Sequence, residues 1–165
     1  MRARATFALA LAAAMTAGAA QADGWRHYVN ARYGATADVP AAWREDPPPA
    51  DGDGRGFTSP DGRGHVAVFG QMAIRSFDGE VASRTRARVG ETVTYLDRGA
   101  TWFVVSGLAG GDVIYYRKGA LGCRGRVWSF VEMFYPLAQK ARYDALVRHV
   151  AGSLRVGRAL GVPCD

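Results

Sequence analysis

The sequence predicts an α+β fold, an antiparallel sheet of about six to seven strands arranged as a meander and packed between helices. Three observations carry this reading. Short runs rich in β-branched and aromatic residues recur along the chain, separated by brief glycine-containing turns. Connections that short favour antiparallel neighbours, because a parallel crossover needs a dozen residues or more. Two later runs are apolar on both sides: Trp102 and Val104 are backed by Phe103 and Val105, and Trp128 and Phe130 by Val127 and Val131. A strand of that kind must be covered on both faces. Finally, Tyr143, Leu146, Val147, Val150 and Leu154 recur at helical spacing and supply one amphipathic cover.

Residues 1–22 read as a signal peptide. Arg2 and Arg4 form a positive n-region, Phe7 to Met15 an apolar h-region, and Ala20-Gln21-Ala22 an A-x-A cleavage site before Asp23. Residues 23–155 are expected to form a single domain, and 156–165 a C-terminal tail. Within the domain, Trp25 to Tyr33 is a first strand or extended segment and Thr36 to Val39 a second, stopped by Pro40. Trp43 to Gly54 is expected to be a loop with no ladder, since its triple proline removes donors and its Asp-Gly pairs favour turns.

Residues 55–59 and 65–69 then read as a hairpin around Ser59-Pro60-Asp61-Gly62. Pro60 pre-sets φ, the Asp61 side chain can bond backbone two residues on, and Gly62 supplies a positive φ. In the second arm Val66 and Val68 share one face, and His65, Ala67 and Phe69 the other. Asp78 is expected to cap a helix over Gly79 to Val89 that Gly90 ends. Strands follow at Thr92 to Leu96, Thr101 to Leu108, Val113 to Lys118 and Arg126 to Tyr135, and the last helix spans Leu137 to Leu154 after Pro136.

The formal net charge is +6, or +4 once Arg2 and Arg4 leave with the leader. The charge is nearly all arginine and no recognition motif accompanies it, so nucleic acid is not an expected partner. The two cysteines, Cys123 and Cys164, suggest a bridge in an exported chain, with two free thiols as the alternative. Closing that loop is worth about 4 kcal/mol in the chain-entropy model, and it would tether the tail.

No catalytic or cofactor motif survives inspection. Asp51-Gly52-Asp53-Gly54-Arg55-Gly56 begins like a calcium loop, but Arg55 and Gly62 stand where the fifth and twelfth ligands belong. His27, His65 and His149 lack metal spacing, and Gly107 to Gly111 lacks the lysine of a phosphate loop. Ser59, Asp61 and His65 lie close in sequence, yet a two-armed hairpin does not supply the geometry of a triad. Trp25, Tyr28, Tyr33 and Trp43 read as core filling before interface.

Tyr33-Gly34, Asp38-Val39-Pro40 and Trp43, then Phe57 to Gly62, then Tyr143 to Leu154, resemble the opening, the second hairpin and the closing helix of the PsbP-like proteins. That fold is shared with the Mog-type Ran-release factor and the DcrB and LpqN envelope proteins. Ala35 stands where the family usually has phenylalanine. The chain also resembles small exported proteobacterial proteins bearing N-x-R-Y-G and G-D-G-R-x-F. The resemblance implies an α/β/α sandwich and a non-enzymatic accessory or binding role, with no catalytic residues and no cofactor carried over. The expectation is a monomeric periplasmic or secreted protein with an unknown envelope partner and no membrane span after cleavage. The alternatives are a small periplasmic hydrolase and a small-ligand carrier. Asp53, Arg55, Asp61 and His65 form the candidate interaction surface, and their convergence or splaying separates these readings.

Overall fold

The computed structural model describes residues 24–162 and residue 164, so the expected signal peptide lies outside the described residues. In chain order the elements are β1 (Trp25–Val29), β2 (Ala35–Pro40), β3 (Arg44–Glu45), β4 (Gly54–Thr58), β5 (His65–Met72), α1 (Phe77–Thr85), β6 (Glu91–Arg98), β7 (Trp102–Ala109), β8 (Val113–Gly122), β9 (Val127–Pro136), α2 (Lys140–Ser153) and β10 (Arg155–Val156). A 3-10 turn, Leu137–Gln139, leads into α2. The strands form a seven-stranded sheet in the order β3-β4-β5-β9-β8-β7-β6 and a three-stranded sheet in the order β1-β2-β10, with every pairing antiparallel. The α+β class holds.

β6 to β9 form the expected meander, but β5 does not continue it. It pairs with β9, from His65 opposite Phe134 to Met72 opposite Val127, and α1 lies in the connection to the far edge. That pairing places the β4–β5 hairpin beside the most apolar strand, where Val66 and Val68 meet Val131 and Met133 on one face. The first strand stops at Val29 rather than Tyr33, because Asn30 turns the chain. Its carbonyl accepts from Gly34 N–H and its side-chain oxygen from Tyr33 N–H, and Gly34 has φ +70°. The loop before the hairpin does contain a short ladder: Arg44 and Glu45 pair with Thr58 and Phe57 before the prolines remove further donors.

The first helix is capped by Ser76, whose hydroxyl accepts from Gly79 N–H, and not by Asp78. It ends at Thr85 rather than Val89. Arg86 is extended, and a turn closed from Glu91 N–H to Arg88 C=O occupies the rest. Asp78 lies in the first turn and pairs with Arg98.

α2 and the small sheet cover one face of the large sheet. Tyr143, Val147, Val150 and Leu154 pack with Ala35, Ala37, Val39, Phe57, Val66, Val68 and Met133. The other face carries Phe103, Val105, Tyr115, Trp128 and Phe130 beneath Val81 and Phe77 of α1. This second core contains charge. Glu80 is 1% exposed and held by Gln71, Arg75 and Arg84, while Arg117, 3% exposed, forks onto Glu91 beside Glu132. Arg88 also reaches Glu132. These pairs explain why so thinly apolar a helix docks.

The C-terminal residues are bound to the domain. β10 pairs with β2, Gly157 N–H donates to Gly34 C=O, Leu160 N–H to Arg32 C=O, and Cys123 and Cys164 are disulfide-bonded. Among the described residues no helix is long and apolar enough to cross a membrane.

Candidate functional site

The hairpin turn forms as its residues dictate. Gly62 has φ +71° and donates to Ser59 C=O at 2.9 Å, and the Asp61 carboxylate accepts from Arg63 N–H at 3.1 Å. The Ser59 hydroxyl donates to Asp61 at 2.6 Å and accepts from Gly64 N–H. These bonds, chiefly the one from Ser59, hold the Asp61 carboxyl below its usual value. Ser59 and Asp61 are thereby committed to closing the turn, and Arg142 of α2 stands 3.9 Å away.

Asp53, Arg55 and His65 are brought together elsewhere, along an open groove of about 540 Å³ between the 46–53 loop and the β4–β5 strands. Asp61 is not part of it. The groove exists because strand period two places Gly54 and Gly56 on one face, opposite Phe69 and Ala67. A Cβ at Gly56 would stand 2.7 Å from Asp46 Oδ2 and 2.9 Å from His65 Nε2, and one at Gly54 2.3 Å from Phe69 Cβ. Pro47 and Pro49 form the opposite wall, with Gln71 at one end.

Most of the polar groups here are paired with one another, although Arg55 Nε is buried without a hydrogen-bond acceptor. Asp46 accepts from the Thr58 hydroxyl at 2.9 Å and pairs with Arg44 at 3.2 Å and His65 Nε2 at 3.2 Å. Arg55 pairs with Glu45 at 3.2 Å and donates to the Asp46 carbonyl. Arg32 reaches Asp53 at 2.7 Å and also the Asp51 carbonyl. Even so, burial and the neighbouring Asp51 carboxyl raise Asp53 above its usual value, more than Arg32 lowers it. The side chains lining the groove include no hydroxyl, thiol or amine.

Sequence reasoning missed Asp46, which links His65, Thr58 and Arg44, and Gln71. The alternate glycines at 54 and 56 were the available signal, since on a strand they mark a cleared face. It also missed a second cluster, in which Asp38 accepts from His27 Nδ1 at 2.9 Å and His149 Nε2 at 3.1 Å, with Trp25 stacked 3.7 Å over His149. Both rings bind opposite oxygens of one carboxylate, tying β1 and β2 to α2. The four N-terminal aromatics accordingly divide: Trp43 is buried against Tyr143, and Tyr28 meets Phe57, whereas Tyr33 lies under the Arg32 guanidinium and Trp25 is 39% exposed. Among the described residues, no three or more histidine, cysteine or acidic side chains are grouped to hold a metal ion.

No family model matches the chain, and no curated protein matches it by sequence. Solved structures do match. The Ran-binding protein Mog1p of Saccharomyces cerevisiae superposes with a TM-score of 0.55 at 11% identity, over 82% of this chain and 96% of that one. Cyanobacterial PsbP of Synechocystis superposes with a TM-score of 0.56 at 11% identity, over 80% and 92%. What is shared at that identity is the architecture: the chain has a PsbP/Mog1-like fold.

Proposed function

We propose that the mature chain, from Asp23 onward, is a monomeric, non-enzymatic accessory domain of the periplasm that binds an envelope protein through the 46–56 and 65–71 groove. The observation that carries this reading is that Asp61 and Ser59 lie apart from the groove in which Asp53, Arg55 and His65 meet. Asp61 and Ser59 close a turn, while Asp53, Arg55 and His65 line an open groove in pairs with Arg32, Glu45 and Asp46. A hydrolase needs these groups converging on one reacting atom, whereas a binding surface does not. The Cys123–Cys164 bridge and the leader-like N-terminus support export. Both edges of the seven-stranded sheet are interrupted, one by the proline loop after the two-residue β3 and the other by the register shift between Val93 and Tyr95, which supports a monomer.

The partner chemistry follows from charge. Asp46 and Asp53 are already paired with cations of the domain, but the Asp51 carboxylate lines the groove with no ion pair among the described residues, so a cation can enter there. The partner therefore presents a basic side chain. The test is an affinity capture from the envelope fraction with wild type, Asp51→Lys in the groove and Arg124→Glu in the β8–β9 turn, which does not line the groove. A captured protein lost with Asp51→Lys and kept with Arg124→Glu supports the reading. Equal capture by all three overturns it.

A further inference from the structure

A second concavity lies on the α2 face of the sheet, outside the groove described above. It measures about 320 Å³ and is lined by Thr101, Trp102, Val104, Lys118, Ala120 and Leu121. Its construction follows from the β7–β8 register, which sets Trp102 opposite Ala120 and Val104 opposite Lys118, so these four side chains emerge on one face. Trp102 and Val104 supply large apolar surfaces, and Ala120 leaves a space between them. The Lys118 ammonium crosses this surface to donate to the Ala151 carbonyl at 2.7 Å in the last turn of α2.

Lys118 spends one of three donors on that carbonyl. Arg155 stands close enough to repel it and donates to the carbonyls of Gly152 and Leu154. Neither cation has a carboxylate partner within ion-pair distance among the described residues. Asp97, opposite Val104 on the same face, is occupied by Arg98 N–H and the Tyr95 hydroxyl. Burial, and secondarily Arg155, lowers the Lys118 ammonium below its ordinary value. Lys118 thus lines an apolar hollow with Arg155 nearby, and among the described residues neither cation is ion-paired.

We propose that this hollow is a binding site for a small carboxylate with an apolar tail, the tail lying between Trp102 and Val104 over Ala120, the carboxylate on Lys118 with Arg155 in support. The volume sits at the low end of ligand pockets, which suits a chain of medium length rather than a diacyl lipid. The site is independent of the groove and does not require the partner proposed there.

The chain has two lysines, Lys118 and Lys140, so the ε-carbon resonances of 13C-lysine-labelled protein report the site with an internal control. The probe is octanoate, with octanol and octylammonium as neutral and cationic counterparts. Saturable movement of the Lys118 signal with octanoate alone, while Lys140 stays fixed, is the expected result. Lys118→Met keeps the apolar stem, and by calorimetry it is expected to weaken octanoate about tenfold or more through loss of a charge-assisted bond. Arg155→Ala is expected to weaken it less. The proposal is overturned if the two lysine signals move alike or not at all, or if the folded Lys118→Met protein binds octanoate as wild type does.

Discussion

Replacing Arg117 by methionine tests the polar half of the core. Arg117 is 3% exposed and forks onto Glu91, with Nη1 to Oε2 at 3.0 Å, while its Nε lies 3.7 Å from Glu132. Methionine retains most of the length but leaves two carboxylates facing an apolar thioether. Arg88 compensates in part, since its N–H donates to Glu91 at 3.0 Å and its guanidinium lies 3.5 Å from Glu132. Removing one partner of a buried pair costs about 3–5 kcal/mol, a fall in unfolding midpoint of roughly 10 °C for a domain of this size.

The pH dependence supplies a second readout. Burial pushes Glu91 up, but the hydrogen bond from Arg117, that from Arg88 N–H and both positive charges outweigh it, so the carboxyl lies below its usual value of 4.5. A depressed folded value contributes stability above the unfolded value, and that stability is lost as pH falls through the folded one. Wild type should therefore lose stability below about pH 4.5, and Arg117→Met should lose less of it there. Urea denaturation of both proteins from neutral pH to pH 3 measures this, with Glu91→Gln added to Arg117→Met expected to recover part of the loss. A variant within about 0.5 kcal/mol of wild type and with the same acid limb would refute the reasoning.

Three further outcomes follow. Cys123→Ser with Cys164→Ser should lower stability by up to about 4 kcal/mol and expose the amides that bind Gly34 and Arg32; unchanged urea midpoints would contradict the tether. Burial, with Tyr95 and Tyr135 nearby, pushes the Tyr116 hydroxyl up to about 12, so its contribution is full below the ordinary value of 10.0 and disappears as pH rises through about 12. A phenolate absorbance titration should lose its latest step in Tyr116→Phe. At Gly107 an added Cβ would lie 1.8 Å from the Thr92 carbonyl, so Gly107→Ala should pull β6 from β7, cost about 1–3 kcal/mol and speed exchange of β6 amides.

Period and turn chemistry made much of this fold legible. The Val66/Val68 face, the Gly62 corner and the Tyr143-to-Leu154 stripe are local patterns, and each appears where its spacing places it. Partner choice was not legible. Nothing local tells β5 to join β9 instead of starting the meander, because long-range pairing is decided by which apolar faces match. The first helix was blurred for a related reason: its docking relies on Glu80 and Arg84 against Gln71, Phe69 and Phe130, and a charge reads in sequence as solvated. At the groove, Asp53, Arg55 and His65 were visible as a neighbourhood. Asp61 was included with them because it is near in sequence, yet the hairpin turn carries it towards α2. Asp46 was hidden by its place in a loop expected to form no ladder.

Hydrogen exchange of the oxidised domain with and without its captured envelope partner tests the central claim most directly. The account predicts added protection in the segments 46–56 and 65–71 and none in β6 or the β8–β9 turn. Protection confined to β6, or to the Asp38 cluster joining β1, β2 and α2, would contradict it.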